Sequence, residues 1–248
     1  MKRYSITDVH RAYPNDKALD ERHNQWPIYY LFRRLSFYIT PFFLNIGLSA
    51  TAVTLVSLSI ALVMPLAAIL DQPWHGAYWV AVLGFIFVIL DCVDGDMART
   101  AGRSSALGAY LDFIVDVIYR LMFYLALGIL VERQAVEGTF LFGHGVPIAL
   151  FAVIAALMAR ASRLYRERES GRIEAHAQSN TGKYSLPDRI FSFFSGIDYL
   201  FPLFLLIAYP VGGLNYLLLG IVVYSLLDFS TTQFSILKHL IKIPVSQS

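Results

Sequence analysis

A chain of 248 residues that is 56% hydrophobic, 15% charged and near neutral at +2 is too apolar for an ordinary soluble domain, in which about a quarter of residues carry charge. Its mean hydropathy of +0.55 points to an integral membrane protein. The charge balance excludes a nucleic-acid binder, which would show a basic stripe on a polar domain, and the single cysteine, Cys92, excludes an internal disulfide.

Residues 1–27, "MKRYSITDVHRAYPNDKALDERHNQWP", are polar and mixed in charge. They read as a cytoplasmic N-terminal segment with no cleavable signal peptide. The stretch that follows, "WPIYYLFRRLSFYITPFF" (26–43), alternates aromatics and leucine with Arg33, Arg34 and Ser36 and has no long apolar run. It predicts an interfacial helix near 28–43, aromatic side down and both arginines turned to head groups. Pro41 and Gly47 argue against one continuous helix into the first span.

Six apolar segments follow, near 50–70, 77–97, 106–131, 146–165, 188–209 and 214–236. Each approaches the roughly 20 residues that a helix needs to cross a bilayer. Nothing alternates as barrel strands would. The predicted fold is all-α: a six-transmembrane-helix bundle over 28–248, preceded by the interfacial helix and forming one catalytic domain. With six spans both termini share a side, and that side holds all of the 20 basic residues except Arg120 and Arg133. The positive-inside rule makes it cytoplasmic.

The second span runs into "DCVDGDMARTAGRSSALGAYLDFIVD" (91–116). Asp91 and Asp94 are three apart on one helix, and Asp112 and Asp116 are four apart on the next, so each pair shares a face. "TAGRSS" is a short connection with an N-cap at Ser104 or Ser105. The helices are therefore antiparallel neighbours, and four carboxylates converge at their cytoplasmic ends. Like charges so placed call for a cation, and hard oxygen ligands suit Mg²⁺ or Mn²⁺ bridging to a substrate's phosphates. Gly95, Ala98 and Gly108 on the same stripe leave room for a ligand against the backbone. Asp96 points off this stripe and is expected in solvent, while Cys92 is expected to pack. Arg120 lies one turn deeper than Asp116, either pairing with it or snorkelling. Asp198 and Asp228, inside later helices, are functional candidates by default, with solvation or a Ser/Tyr hydrogen bond as the plainer reading.

The pattern Asp91-x2-Asp94-Gly95-x2-Ala98-Arg99-x8-Gly108-x3-Asp112-x3-Asp116 resembles the signature of the CDP-alcohol phosphotransferase (phosphatidyltransferase) family at every position. The resemblance implies a transferase that moves a phosphoalcohol or phosphatidyl group from a CDP-linked donor to a hydroxyl acceptor, with release of CMP. It implies two divalent cations, Mg²⁺ or Mn²⁺, on Asp91, Asp94, Asp112 and Asp116, with Asp116 also the general base. Gly95, Ala98, Arg99 and Gly108 would line the CDP-donor site. The family's Thr-Pro-Asn-x-x-Thr at the first span corresponds to Ser49-Ala50-Thr51-Ala52-Val53-Thr54, so Thr54 and the Thr51 hydroxyl are the donor contacts left there. The lead-in to that span is similar to members that make inositol-phosphate-type diesters or lipids, and CDP-diacylglycerol is a candidate donor. A homodimer in the bilayer is also common in the family.

The basic stretch "RASRLYRERESGRIEAHAQSNTGKYSLPDR" (160–189) adjoins the expected acceptor mouth. Most of its charges serve topology; Arg160, Arg163 and Lys183 are the candidate acceptor contacts, and His176 is expected on the surface. Two other classes also use clustered aspartates, an intramembrane prenyltransferase and a non-enzymatic divalent-cation transporter. The first lacks the Asp-Gly-x-x-Ala-Arg continuation, and the second needs broken helices near the midplane.

Overall fold

The computed structural model describes residues 3–70, 73–135, 141–174 and 196–240. Two short helices, α1 (Ile6–Ala12) and α2 (Asn15–Asn24), precede a single π-helical turn (Ile28–Phe32) that runs directly into α3 (Arg33–Asn45). The long helices are α4 (Ala50–Ala68), α5 (Pro73–Thr100), α6 (Ala106–Gln134) and α7 (Gly145–Glu174). A 3₁₀ turn (Ile197–Leu200), α8 (Phe201–Ala208) and α9 (Leu214–Leu240) complete the order, with no strand among the described residues.

Local chemistry sets the boundaries. The chain leaves α3 through Gly47, whose φ of +83° favours glycine, and Ser49 then caps α4 by accepting from the Ala52 amide. Gly102, at φ +64°, reverses the chain after α5, and Ser105 caps α6 by accepting from the Gly108 amide. The interruption before the first span and the serine N-cap of the third helix both follow the sequence expectation.

Among the described residues, five helices are long and apolar enough to cross a membrane: Ala50–Ala68, His75–Thr100, Ala106–Gln134, Gly145–Tyr165 and Leu214–Lys238. Of the sixth predicted span, near 188–209, the described part is a shorter apolar helix, Ile197–Ala208; residues 188–195 lie outside the described residues. α4 packs on α5 and α6, α7 on α6 and α9, and α8 on α5. Their shared core includes Phe87, Phe123, Leu127, Leu130 and Leu218, with Phe87 and Tyr119 stacked at 3.9 Å between centroids. Outward faces stay apolar, as at Leu55, Leu62 and Leu66 of α4, which is what lipid contact requires.

Of the N-terminal helices, α1 packs against α3 and α5, and α2 against the π-helical turn. Asn45 brackets the Tyr4 backbone, accepting from its amide at 2.8 Å and donating to its carbonyl at 3.0 Å. His10 and Tyr13 both lie against Phe37. Arg34 is exposed as predicted, but Arg33 is not turned outward: it is 4% exposed and points into the protein toward α5.

Candidate active site

The last turns of α5 and the first turns of α6, joined by the Gly102 reversal, form opposite walls of a cavity of about 380 Å³. Asp91 and Asp94 line it from α5, and Asp112 and Asp116 from α6. Gly95, Ala98 and Gly108 lie between them on the lining, as do Thr51, Thr54 and Arg99. The motif residues predicted from spacing are thus brought together. A side chain on Gly95 would begin at a Cβ only 3.0 Å from the Arg99 guanidinium, so glycine keeps that wall low.

The four carboxylates are held differently. Thr54 donates to Asp94 at 2.6 Å, tying the start of α4 to the cavity. Asp116, buried, is paired with Arg120 at 3.4 Å and with Arg160 of α7 at 2.5 Å. Arg120 also binds Asp198 of the 3₁₀ turn and stands over the Tyr199 ring, which is itself on the cavity wall. Asp91 and Asp112 have no hydrogen bond or ion pair to any described residue. Unpartnered carboxylates are costly at a membrane-buried helix end.

No three or more His, Cys, Asp or Glu side chains among the described residues form a ready-made metal cage; the four aspartates line one cavity instead of closing on one point. The donor set nevertheless fits Mg²⁺ or Mn²⁺. It is all carboxylate oxygen, and two of the four carboxylates have no partner among the described residues.

Asp96 departs from expectation. It does point away from the cavity stripe, but it is 1% exposed rather than solvated. It accepts from Arg33 at 3.0 Å, from Arg99 at 2.9 Å and from the Ser36 hydroxyl at 2.7 Å. Arg33 donates in addition to the Cys92 carbonyl at 3.1 Å and grips Glu21 with two of its nitrogens. Burial would by itself lower the Arg33 pKa; Cys92, Asp96 and Glu21 outweigh it and hold the guanidinium above its usual value. Tyr13 donates to Glu21 at 2.7 Å, and burial together with that carboxylate pushes its phenol up. Cys92 is buried, as expected of a packing residue.

Three lining residues from the N-terminal segment, Lys17, Glu21 and Gln25, had no sequence signal beyond the polarity of α2. Of the acceptor candidates, Arg160 lines the cavity. Arg163 is paired with Asp228 at 2.7 Å and Thr232 at 3.1 Å, away from the lining. Lys183 and His176 lie outside the described residues. Arg120, Asp198 and Asp228 are all ion-paired, where the sequence left several roles open.

A protein-family model described as CDP-alcohol phosphatidyltransferase matches residues 48–225. No curated protein matches the chain.

Proposed function

The chain belongs to the CDP-alcohol phosphatidyltransferase family, and from that premise we propose that it moves a phosphoalcohol or phosphatidyl group from a CDP-linked donor to a hydroxyl acceptor, releasing CMP. The carrying observation is one cavity lined by all four motif aspartates, two of them without a partner among the described residues. Asp91, Asp94, Asp112 and Asp116 would hold Mg²⁺ or Mn²⁺, which supplies charge neutralisation for the donor diphosphate and the departing CMP.

The chain's own residues do the positioning. Gly95, Ala98 and Gly108 keep the walls low enough for the cytidine to lie against the backbone. Thr54 fixes the Asp94 carboxylate, the Thr51 hydroxyl adds a donor contact, and Arg99 meets phosphate oxygens. Asp116 accepts the acceptor's hydroxyl proton. The acceptor oxygen forms its new bond to the phosphorus that carries the alcohol, and the bond from that phosphorus to the CMP oxygen breaks. Arg120 and Arg160 keep the Asp116 carboxylate oriented, and Arg160 stands ready for a polar acceptor, with Lys183 a further candidate contact. Positioning and charge stabilisation of this kind carry most phosphoryl transfers. The bias of basic residues puts the cavity and both termini on the cytoplasmic face. CDP-diacylglycerol, or a smaller CDP-alcohol giving an inositol-phosphate-type diester, is the donor class, within phospholipid or related lipid metabolism.

A screen of donor and acceptor pairs in detergent or proteoliposomes, reading CMP and the product's mass, tests this. Asp116→Asn is expected to abolish CMP release while retaining CDP-donor binding. Release of inorganic diphosphate, or cation flux without a CDP substrate, would overturn the reading.

A further inference from the structure

The buried ion network at the edge of the cavity, where Glu21, Arg33 and Cys92 are themselves on the lining, joins residues that the family match does not cover to residues at its centre. Glu21 and Arg33 precede residue 48, where the match begins, whereas Cys92, Asp96 and Arg99 lie within it. Arg33 reaches α5 at two points, the Cys92 carbonyl and the Asp96 carboxylate. Cys92 sits between Asp91 and Asp94, and Asp96 in turn holds Arg99. One guanidinium therefore ties down the helical turns that present Asp91, Asp94 and Arg99 to the cavity. Glu21 occupies the other edge of that guanidinium through two nitrogens, so all three nitrogens of the fork are engaged and its direction is fixed.

On this stretch of α5 Asp91 has no partner among the described residues and Asp94 has Thr54 as its one side-chain donor, so the carboxylates themselves do little to fix it. Arg33 supplies the further ties. We propose that Arg33 is a positioning residue for the transfer, setting the geometry of the α5 aspartates through its hold on the Cys92 carbonyl and Asp96 while Glu21 holds it in place, so that the N-terminal segment is a working part of the site. The proposal rests on the functional reading above for what the aspartates bind. Groups that orient metal ligands from outside typically change metal affinity or activity by about 10–100-fold when removed.

The test uses the full-length protein in detergent. Mn²⁺ binding is read directly from the free-ion electron paramagnetic resonance signal, beside CMP release and thermal unfolding. Arg33→Gln is expected to weaken Mn²⁺ binding about tenfold or more and to lower kcat, with less change in the donor's KM. Arg33→Lys restores part of the loss, since an ammonium keeps the charge but cannot serve both partners in the fork geometry. Glu21→Gln, which leaves Arg33 on Asp96, gives a smaller loss in the same direction. Arg34→Gln, on the exposed side of α3, leaves all three readouts unchanged. If Arg33→Gln does not fold, Arg33→Lys and Glu21→Gln decide. Folded variants whose unfolding temperature falls while Mn²⁺ affinity and kcat hold at the wild-type level would make Arg33 a stability residue only and overturn the proposal. Absence of CDP-dependent CMP release in the wild type would instead defeat the functional reading, and the Mn²⁺ titration would still decide the role of Arg33.

Discussion

Asp91 and Asp96 lie on the same helix, five residues apart, and have opposite surroundings. Asp96 faces away from the cavity and is satisfied by Arg33, Arg99 and Ser36. Asp91 faces the cavity beside three other carboxylates and has no partner among the described residues. A carboxylate whose donors are all supplied by the protein serves the fold; one left bare in a charged cavity needs a ligand to complete it. The two faces of α5 therefore serve the site differently, Asp91 directly and Asp96 through Arg33 and Arg99, and only at Asp96 should a substitution cost stability as well as activity.

The largest effect is expected at Asp91. Asp91→Asn removes a carboxylate that the cavity does not otherwise compensate, so CMP release should fall about 100-fold or more. Thermal unfolding measured without divalent ions should stay unchanged or rise, because a repulsive charge is gone. Loss of stability alongside activity would mean that Asp91 belongs with Asp96 in the fold. Asp96→Asn should lower stability and, by loosening Arg33 and Arg99, also reduce metal affinity and CMP release by about tenfold. Breaking a buried ion pair from one side typically costs about 3 kcal/mol or more, to be read from denaturant or thermal unfolding in detergent. A variant as stable as the wild type would show that Glu21 alone satisfies Arg33.

Thr54→Val sharpens the same contrast at an intermediate site. Asp94 is a cavity carboxylate with one protein donor, so removing the hydroxyl leaves the chemistry in place but loosens one ligand. A loss of about tenfold in metal affinity or activity is the expected scale, with folding little changed. An effect as large as that of Asp91→Asn would place the threonine in direct contact with substrate.

What the sequence made legible follows from the range of the interactions. Apolar run length located five spanning helices, because a bilayer imposes that length on each helix by itself. Spacing put Asp91 with Asp94 and Asp112 with Asp116, and Ser105 announced the start of α6, since faces and caps are set within one or two turns. Asp96 was misread because two of its three partners, Arg33 and Ser36, lie sixty residues or more upstream, and no local period reports an ion pair across helices. The same reasoning turned Arg33 toward head groups beside Arg34. Adjacent helical positions diverge by about 100°, and only packing against α5 decides which of the two is buried. Glu21 was hidden for another reason: in a polar segment, one buried glutamate looks like its exposed neighbours.

The smallest expected effect separates Arg160 from Arg163, neighbours on one face of α7 that the sequence treated alike. Arg160 stands on the cavity lining against Asp116, whereas Arg163 is engaged by Asp228 and Thr232 of α9. Arg160→Gln should therefore raise the acceptor's KM and lower kcat. Arg163→Gln should change kcat/KM by no more than about threefold and cost under about 1 kcal/mol, since that arginine is one-third exposed and its pair is partly screened. Arg163 carries its charge at the joint between α7 and α9, where it ties two helices and touches no part of the cavity. If Arg163→Gln raised the acceptor's KM as far as Arg160→Gln does, the joint would have to open during turnover, and Asp228 would become a gate to the acceptor rather than a strut.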